Sequence, residues 1–470
     1  MSSTSSTSMA GSLSPSGISF SGLGSGLDIN SIVTQLVNAQ GQPQQQLLNN
    51  QQDALNTTLS ALGQLKSGLS GVQSAVDALS NIDTYRTRTV TIGNTALLNA
   101  TASPGTAQGV YQVEVDQLAT AQKQVSAGYA SATSTVGSGS LTFTTGSGSF
   151  TVNVAATDSL STIQSNINAA SGNTGVQASI INVDNGSGGT VSKLVFTATQ
   201  TGSANAITVT AADSDGNNTD AIGLSALASN NLTQVAAAQD AIIKVDGQQV
   251  TSSSNTVSSV VTGLTMNLTQ AQPGVTTTMT VATDNSPLTT ALQNLVTQYN
   301  AYQKTYSSLT SYDPSTNVAG PLLGDATASS TNSALRSIFG NNINTGSTTV
   351  QNLADIGLQI DQNGVMSLDT TKLNSALQAD PSAVRSLLTG SGTGLVSQVD
   401  KQLNPFLQFG GTFDSRTQSI NSQLSSIAQQ QSDLTLNLQQ YQKTLLNQFT
   451  AMDSYVAQMN QSLSFLSKLN

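Results

Sequence analysis

Very few side chains in this sequence can do chemistry. The 470 residues include no His and no Cys, so neither a Ser-His-Asp triad nor a Cys-His pair can be assembled. A pair of carboxylates could still share acid–base work of the kind that cleaves glycosides. Glu114, the sole Glu, stands near Asp116. Both fall beside Gln112 on the polar side of an alternating run, which is an ordinary solvated strand face. Asp213-Ser214-Asp215-Gly216-Asn217-Asn218-Thr219-Asp220 is dense in oxygen ligands. An EF-hand calcium loop needs Gly at its sixth place and a closing bidentate Glu. Here Gly is fourth and no Glu follows, so the stretch reads as a turn. Gly22, Gly24 and Gly26 lack the G-x-G-x-x-G spacing and the βαβ unit of a nucleotide loop. The expectation is a protein that is not an enzyme and has no catalytic residue, no metal site and no cofactor.

Composition narrows the partners. Charged residues are 8% of the chain and the net charge is -10, so nothing can neutralise a run of phosphates and no nucleic acid is expected. The absence of Cys excludes a disulfide framework and thiolate metal sites. No stretch reaches the 18 or so apolar residues of a membrane span, so no membrane insertion is expected. Met1 to Ser16 is Ser/Thr-rich without a cationic start or apolar core, unlike a secretory signal peptide.

The elements follow from periodicity. Apolar residues at 3-4 spacing run through Ile420, Leu424, Ile427, Leu434, Leu438, Tyr441, Leu445, Met452, Tyr455, Met459 and Leu466, broken only by Gln431, Gln448 and Ser462. Such a seam predicts one long helix from Asp414 that must be covered by another helix. Phe449, Val456 and Leu463 form a second stripe one position away, which implies more than one neighbour. Asp28 caps a helix with Ile29, Ile32, Val33, Leu36 and Val37, which Gly41 and Pro43 are expected to interrupt. A second run, Ala54 to Leu79, carries Leu55, Leu62, Leu69 and Val76 and is the expected partner of the seam. From Tyr85 the period becomes two. Strands are expected at Val110–Asp116, Leu141–Thr145, Phe150–Val154, Val176–Ile181, Lys193–Thr199, Ala206–Thr210, Ile242–Gln249, Leu264–Leu268 and Met279–Val281. Asp158 opens a short helix through Leu160, Ile163 and Ile167. Helices resume at Ser286-Pro287, with Leu288, Leu292, Leu295, Tyr299, Tyr302, Tyr306 and Leu309 on one core face. A hairpin is expected around Asn363-Gly364, followed by helices at Asp369 and Pro381. The fold class is therefore α+β, elongated and multidomain. Terminal helices form a coiled-coil or helical-bundle stalk that carries inserted antiparallel β-rich head domains.

Several of these segments resemble one family. Phe20-Ser21-Gly22-Leu23-Gly24-Ser25-Gly26-Leu27-Asp28, with Ile32-Val33 and Leu36-Val37, resembles the N-terminal signature of bacterial flagellar filament-capping proteins, hook-associated protein 2. Gly109 to Val113 through Leu118 to Lys123 resembles the start of their β head. Gln448 to Asp453, leading to Met459 to Ser462, resembles their terminal helix. Asn294 to Tyr302, Gly320 to Asp325 and Ile356 to Gly364 add matches, and Asp158 to Val209 is similar to a repeat of flagellin-like proteins.

The resemblance implies a structural assembly factor, exported through the flagellar secretion apparatus to the extracellular flagellum tip. It would form a homo-oligomer ring over emerging flagellin. The partners it implies are flagellin, the hook–filament junction protein and an export chaperone on the C-terminal helix. Two alternatives stay open: a filament- or junction-forming flagellin-like protein, and an adhesin whose β head binds host surface glycans. The chain divides into a disordered segment 1–17; a leg from 18–65 with 411–470; a helical bundle from 66–85 with 285–410; a β head from 86–130 with 240–284; and an outer β head at 131–239.

Overall fold

The computed structural model describes residues 26–343 and 346–466. The expected disorder of 1–17 and the signature from Ile18 to Ser25 lie outside the described residues. Among those described there are eight α-helices: α1 (Ile29–Asp77), α2 (Leu160–Ala169), α3 (Ser286–Thr310), α4 (Ala326–Gly340), α5 (Thr370–Ala379), α6 (Pro381–Thr389), α7 (Leu395–Leu407) and α8 (Thr412–Leu466). The chain forms two compact units, one of residues up to Ser80 with those from Ala291 onward, the other Asn81–Thr290.

The first unit is helical. Asp28 caps α1 by accepting from the Ser31 N–H at 3.1 Å, and the helix then runs 49 residues without a break. The expected interruption at Gly41 and Pro43 does not occur. Pro43 keeps a helical φ and forfeits one backbone bond. Burial of Val37, Gly41 and Leu48 against α8 holds the helix through it. Gly41 faces Leu438, and any Cβ there would overlap the Leu438 side chain.

The middle of this unit is a bundle built on α3. Leu292, Leu295, Tyr299 and Tyr302 are buried as their spacing demands. The Tyr302 hydroxyl meets Thr331 Oγ1 of α4 at 3.3 Å, and the Tyr299 ring sits edge-on to Phe339. Burial pushes the Tyr302 hydroxyl up to about 12, against a weaker lowering by its bond to Thr331. The first turns of α4 carry no simple apolar period. Asp325 caps α4 by accepting from the Thr327 and Ala328 N–H groups, and the buried face beyond it includes Ala328 and Thr331. Small and polar residues thus serve as core there. The hairpin at Leu358–Ile360 and Met366–Leu368 forms as expected, with Gly364 at φ 79° in its turn. Asp369 and Asp380 cap α5 and α6.

The second unit holds two β cores, and every paired strand in it is antiparallel. In the first core, strands Arg88–Ile92, Thr276–Thr283, Gly109–Gln117, Ala241–Val245 and Gln248–Ser252 lie side by side in that order. They bury Val113, Val115, Ile243 and Met279 with Leu98 and Met266 of a three-stranded sheet. Asp246 and Gly247, both at positive φ, turn the hairpin between its last two strands. The second core is inserted between Gly109–Gln117 and Ala241–Val245. It stacks the sheet of Gly139–Thr145, Gly148–Val154 and Thr208–Asp213 with α2 and the longer strands Val176–Asp184 and Thr190–Ala198. Phe143 lies 5.1 Å from the Phe150 ring and 5.2 Å from Phe196 at its centre. Ser159, rather than Asp158, caps α2; Asp158 instead accepts from the Ala155 N–H.

Candidate assembly interface

The long helix of the sequence exists as α8, 55 residues from Thr412 to Leu466. Its partner is α1, antiparallel, from Ile29 to about Lys66. Lys66 Nζ meets Asp414 Oδ1 at 2.7 Å where α8 begins. Asp414 also accepts from the Gly410 N–H. The Lys66 hydrogen bond first, and then the Gly410 N–H, hold the Asp414 carboxyl below its ordinary range. Further along, Leu48 packs with Ile427 and Leu434, and Leu55 and Leu438 join them. At the far end Ile29, Val33 and Val37 pack on Leu445, with Leu438, Leu446 and Phe449 beside it.

This pairing corrects the expected partner. Leu55 and the buried Leu62 lie alongside α8, but Leu69 and Val76 lie past its first turn. There α1 meets the bundle instead: Gly68 lies against Tyr302, and the Gln73 side chain donates to Asp400 Oδ1 at 3.4 Å. The stretch of α8 from Leu438 to Phe449 is covered by the first helical run, which the unbroken course of α1 makes available.

The seam itself is half as expected. Ile420, Ile427, Leu434 and Leu445 are buried and Leu424 and Leu438 are half-buried. Tyr441, Met452, Tyr455 and Met459, placed on the same seam by their spacing, are exposed, Tyr455 by 66%. Phe449 and Val456 of the second stripe are half-buried in their place, and Asp453 between them is buried. Leu463 of that stripe is exposed, and the Leu466 side chain lies outside the described residues. The inward residues Ile420, Leu438 and Val456 recur at a constant interval that is a whole number of 3.6-residue turns. A strict 3.5-residue repeat keeps facing a partner only when the helices supercoil; otherwise it drifts by about 20° per heptad. Over this length the drift carries the heptad stripe out to solvent.

Gln431, a polar break in the apolar seam, has a partner that the sequence does not reveal. Its Nε2 donates to Asn49 Oδ1 at 3.0 Å and to Gln52 Oε1 at 3.4 Å across the pair. The outer face of α8 also exposes Leu436 and Phe465. Tyr441, Met452, Tyr455, Met459 and Leu463 make a separate exposed apolar surface along the flank of the α1 contact and beyond it, the kind that marks an interaction site.

The carboxylates singled out for chemistry are bound in local contacts. Lys244 Nζ lies 3.2 Å from Glu114 Oε1 and 3.0 Å from Asp116 Oδ2 on the neighbouring strand. Glu114 also accepts from the Gly274 N–H at 2.7 Å. The Lys244 contact holds Asp116 low and Asp116 in turn holds Lys244 high. Asp116 is thus held ionised, and Glu114 is engaged by the same ammonium and by the Gly274 N–H. Asp213 accepts from the Ser225 N–H and Asp215 from the Asn217 N–H, which close the acidic loop on itself.

The comparisons agree on one family. Residues 25–122 match the flagellar hook-associated protein 2 N-terminus and residues 238–461 its C-terminus. Residues 140–200, within the second β core, match the flagellin hook IN motif. The flagellar hook-associated protein 2 of Escherichia coli K12 is 32% identical over 468 residues, 96% of this chain and 97% of that protein. The A-type protein of Pseudomonas aeruginosa is 30% identical over 459 residues, 94% of this chain and 95% of that one. A crystal structure of the D1-D2-D3 domains of the Escherichia coli flagellar cap protein aligns with a TM-score of 0.59 at 33% identity, over 77% of this chain and 99% of that one. With its antiparallel β cores, its paired terminal helices and these relatives along nearly its full length, this chain belongs to the flagellar hook-associated protein 2 family, the structural cap proteins of the bacterial flagellum.

Proposed function

We propose that this chain is one subunit of a ring-shaped cap at the distal tip of the flagellar filament, where it promotes folding and insertion of exported flagellin. The observation that carries this reading is the set of apolar residues Tyr441, Met452, Tyr455, Met459 and Leu463 of α8, exposed along the flank of the α1 contact and beyond it. A surface of that kind needs partners in an assembly. Flagellin, the hook–filament junction protein and neighbouring copies are its partners on the filament. During export through the flagellar secretion apparatus, a chaperone shields the same face.

Such a cap must shift each time a subunit is added beneath it. Contacts that reform repeatedly favour moderate affinity over fixed ion pairs. The ion pairs Lys66–Asp414 and Arg416–Asp325 both sit at the start of α8, away from the uncovered stripe. Amide and hydroxyl side chains flank the stripe instead, and these have no charge partner to match at each new position.

Deletion of the coding sequence tests the proposal. The expected result is cells with stunted or missing filaments that release flagellin monomers into the medium. Full-length filaments with no released flagellin would overturn it. Purified flagella provide a second check: a few copies at the tip are expected, whereas thousands along the shaft would make the chain a filament subunit.

A further inference from the structure

We propose that Phe409 of one copy seats in the open cavity between α1 and α8 of a second copy, which supplies a turn-to-flank contact within the assembly. This rests on the cap reading and names a contact that would build it.

Phe409 is 97% exposed. It sits on the turn between α7 and α8, and the turn is braced. The Gln408 N–H bonds to Asn404 O and the Gly411 N–H to Gln408 O, each at 2.9 Å. Gly410, at φ 73°, donates to Asp414 Oδ2 at 3.1 Å. Asp414 is in turn held by Lys66. A Phe offers roughly 150–250 Å² for burial, and a side chain on a fixed turn loses little freedom when it docks. An isolated aromatic held in solvent this way is what an interface anchor looks like before its partner arrives.

A receptor for it exists on the same chain. Ala54 and Leu55 of α1 and Ile427 of α8 line an open cavity of about 430 Å³, bordered by Gln51, Gln423 and Gln430. Ser426 completes the lining. Small residues at Ala54 and Ser426 leave room where larger apolar residues close the seam farther along. The cavity has an apolar floor, an amide rim and no charge. That last property matters between copies that each carry a net charge of -10, because like charges oppose their approach.

Phe409 cannot reach the cavity of its own chain. It precedes α8, whereas Gln423 to Gln430 lie more than ten residues into that helix, roughly 20 Å away at 1.5 Å per residue. Knob and hole can therefore meet only between copies. The contact is heterologous, so each copy can give its knob to one neighbour and its hole to the other, and the arrangement can repeat.

The natural absence of Cys allows a direct test. Protein carrying Phe409→Cys is mixed with protein carrying Ser426→Cys, oxidised under assembly conditions and analysed for a disulfide-linked peptide joining the two positions. Phe409→Cys mixed with Thr450→Cys, at an exposed site on α8, is the collision control. Self-association of Phe409→Ala is measured by sedimentation beside the unsubstituted protein, with circular dichroism to show that both are folded. The expected results are a 409–426 link well above the control and self-association at least about tenfold weaker for Phe409→Ala. If the unsubstituted protein associates but the link stays at control level and Phe409→Ala associates equally well, this contact is overturned and the cap reading stands. If the unsubstituted protein does not self-associate at any concentration, both fail.

Discussion

Gly41 and Tyr302 show how single residues set the stability of the helical unit. At Gly41 the absence of a side chain admits Leu438 to the face of α1. Gly41→Val should destabilise this unit by roughly 1–3 kcal/mol, the usual result of overfilling a packed contact, read as a lower midpoint in urea. Tyr302 makes the unit sensitive to alkali. Its buried hydroxyl ionises only at about 12 in the fold, against about 10 in an unfolded chain. The neutral form is the one the fold favours. The contribution is therefore fully present below pH 10 and is lost as pH rises toward 12, at about 1.4 kcal/mol per pH unit. Burial raises Tyr299 as well and adds in the same direction. Stability measured from pH 9 to 12 should fall along this slope, and Tyr302→Phe should flatten it; an unchanged slope in the variant would remove Tyr302 as the cause.

At the scale of elements, α8 is a helix with two apolar sides of different purpose. One stretch is spent on α1, and the flank and far end face solvent. Replacing Leu65, fully buried in α1, by Ala should cost about 2–5 kcal/mol. Replacing Tyr455 and Met459 together by Ala should leave the folded monomer within about 0.5 kcal/mol, because both are exposed. The double variant should nevertheless impair filament growth in a swimming assay. Wild-type motility would show that the outer stripe is idle, and a large stability loss would show that it is core. Caps and turns made most of these elements legible in the sequence: Asp28, Asp369, Pro381 and Asn363-Gly364 each act within a few residues of themselves. The start of α4 was not legible, because Thr327, Thr331 and Asn332 are buried there with Ala328, and the apolar residues Leu335, Ile338 and Phe339 come only in its later turns.

At the scale of the molecule, the β unit is an insertion that closes on itself. Its entering strand Arg88–Ile92 pairs directly with its leaving strand Thr276–Thr283, with Arg88 opposite Thr283. Its two cores are made of its own residues. Residues 81–290 produced alone should therefore fold into a β-rich protein with a cooperative thermal transition. A fragment with a random-coil spectrum would show that the helical unit is needed to form it.

Composition, capping and the change of period were enough to place helices at both ends and antiparallel β structure between them, and the resemblance of particular segments named the family. Those properties depend on backbone preferences and on neighbours a few positions away. Tertiary structure alone decided which side of α8 turns inward, that α1 runs on through Pro43, and that Gln431 bonds to Asn49. These depend on residues hundreds of positions apart. They also depend on the gap between 3.5 and 3.6 residues per turn, too small to tell over one heptad but enough over a 55-residue helix to exchange a buried stripe for an exposed one.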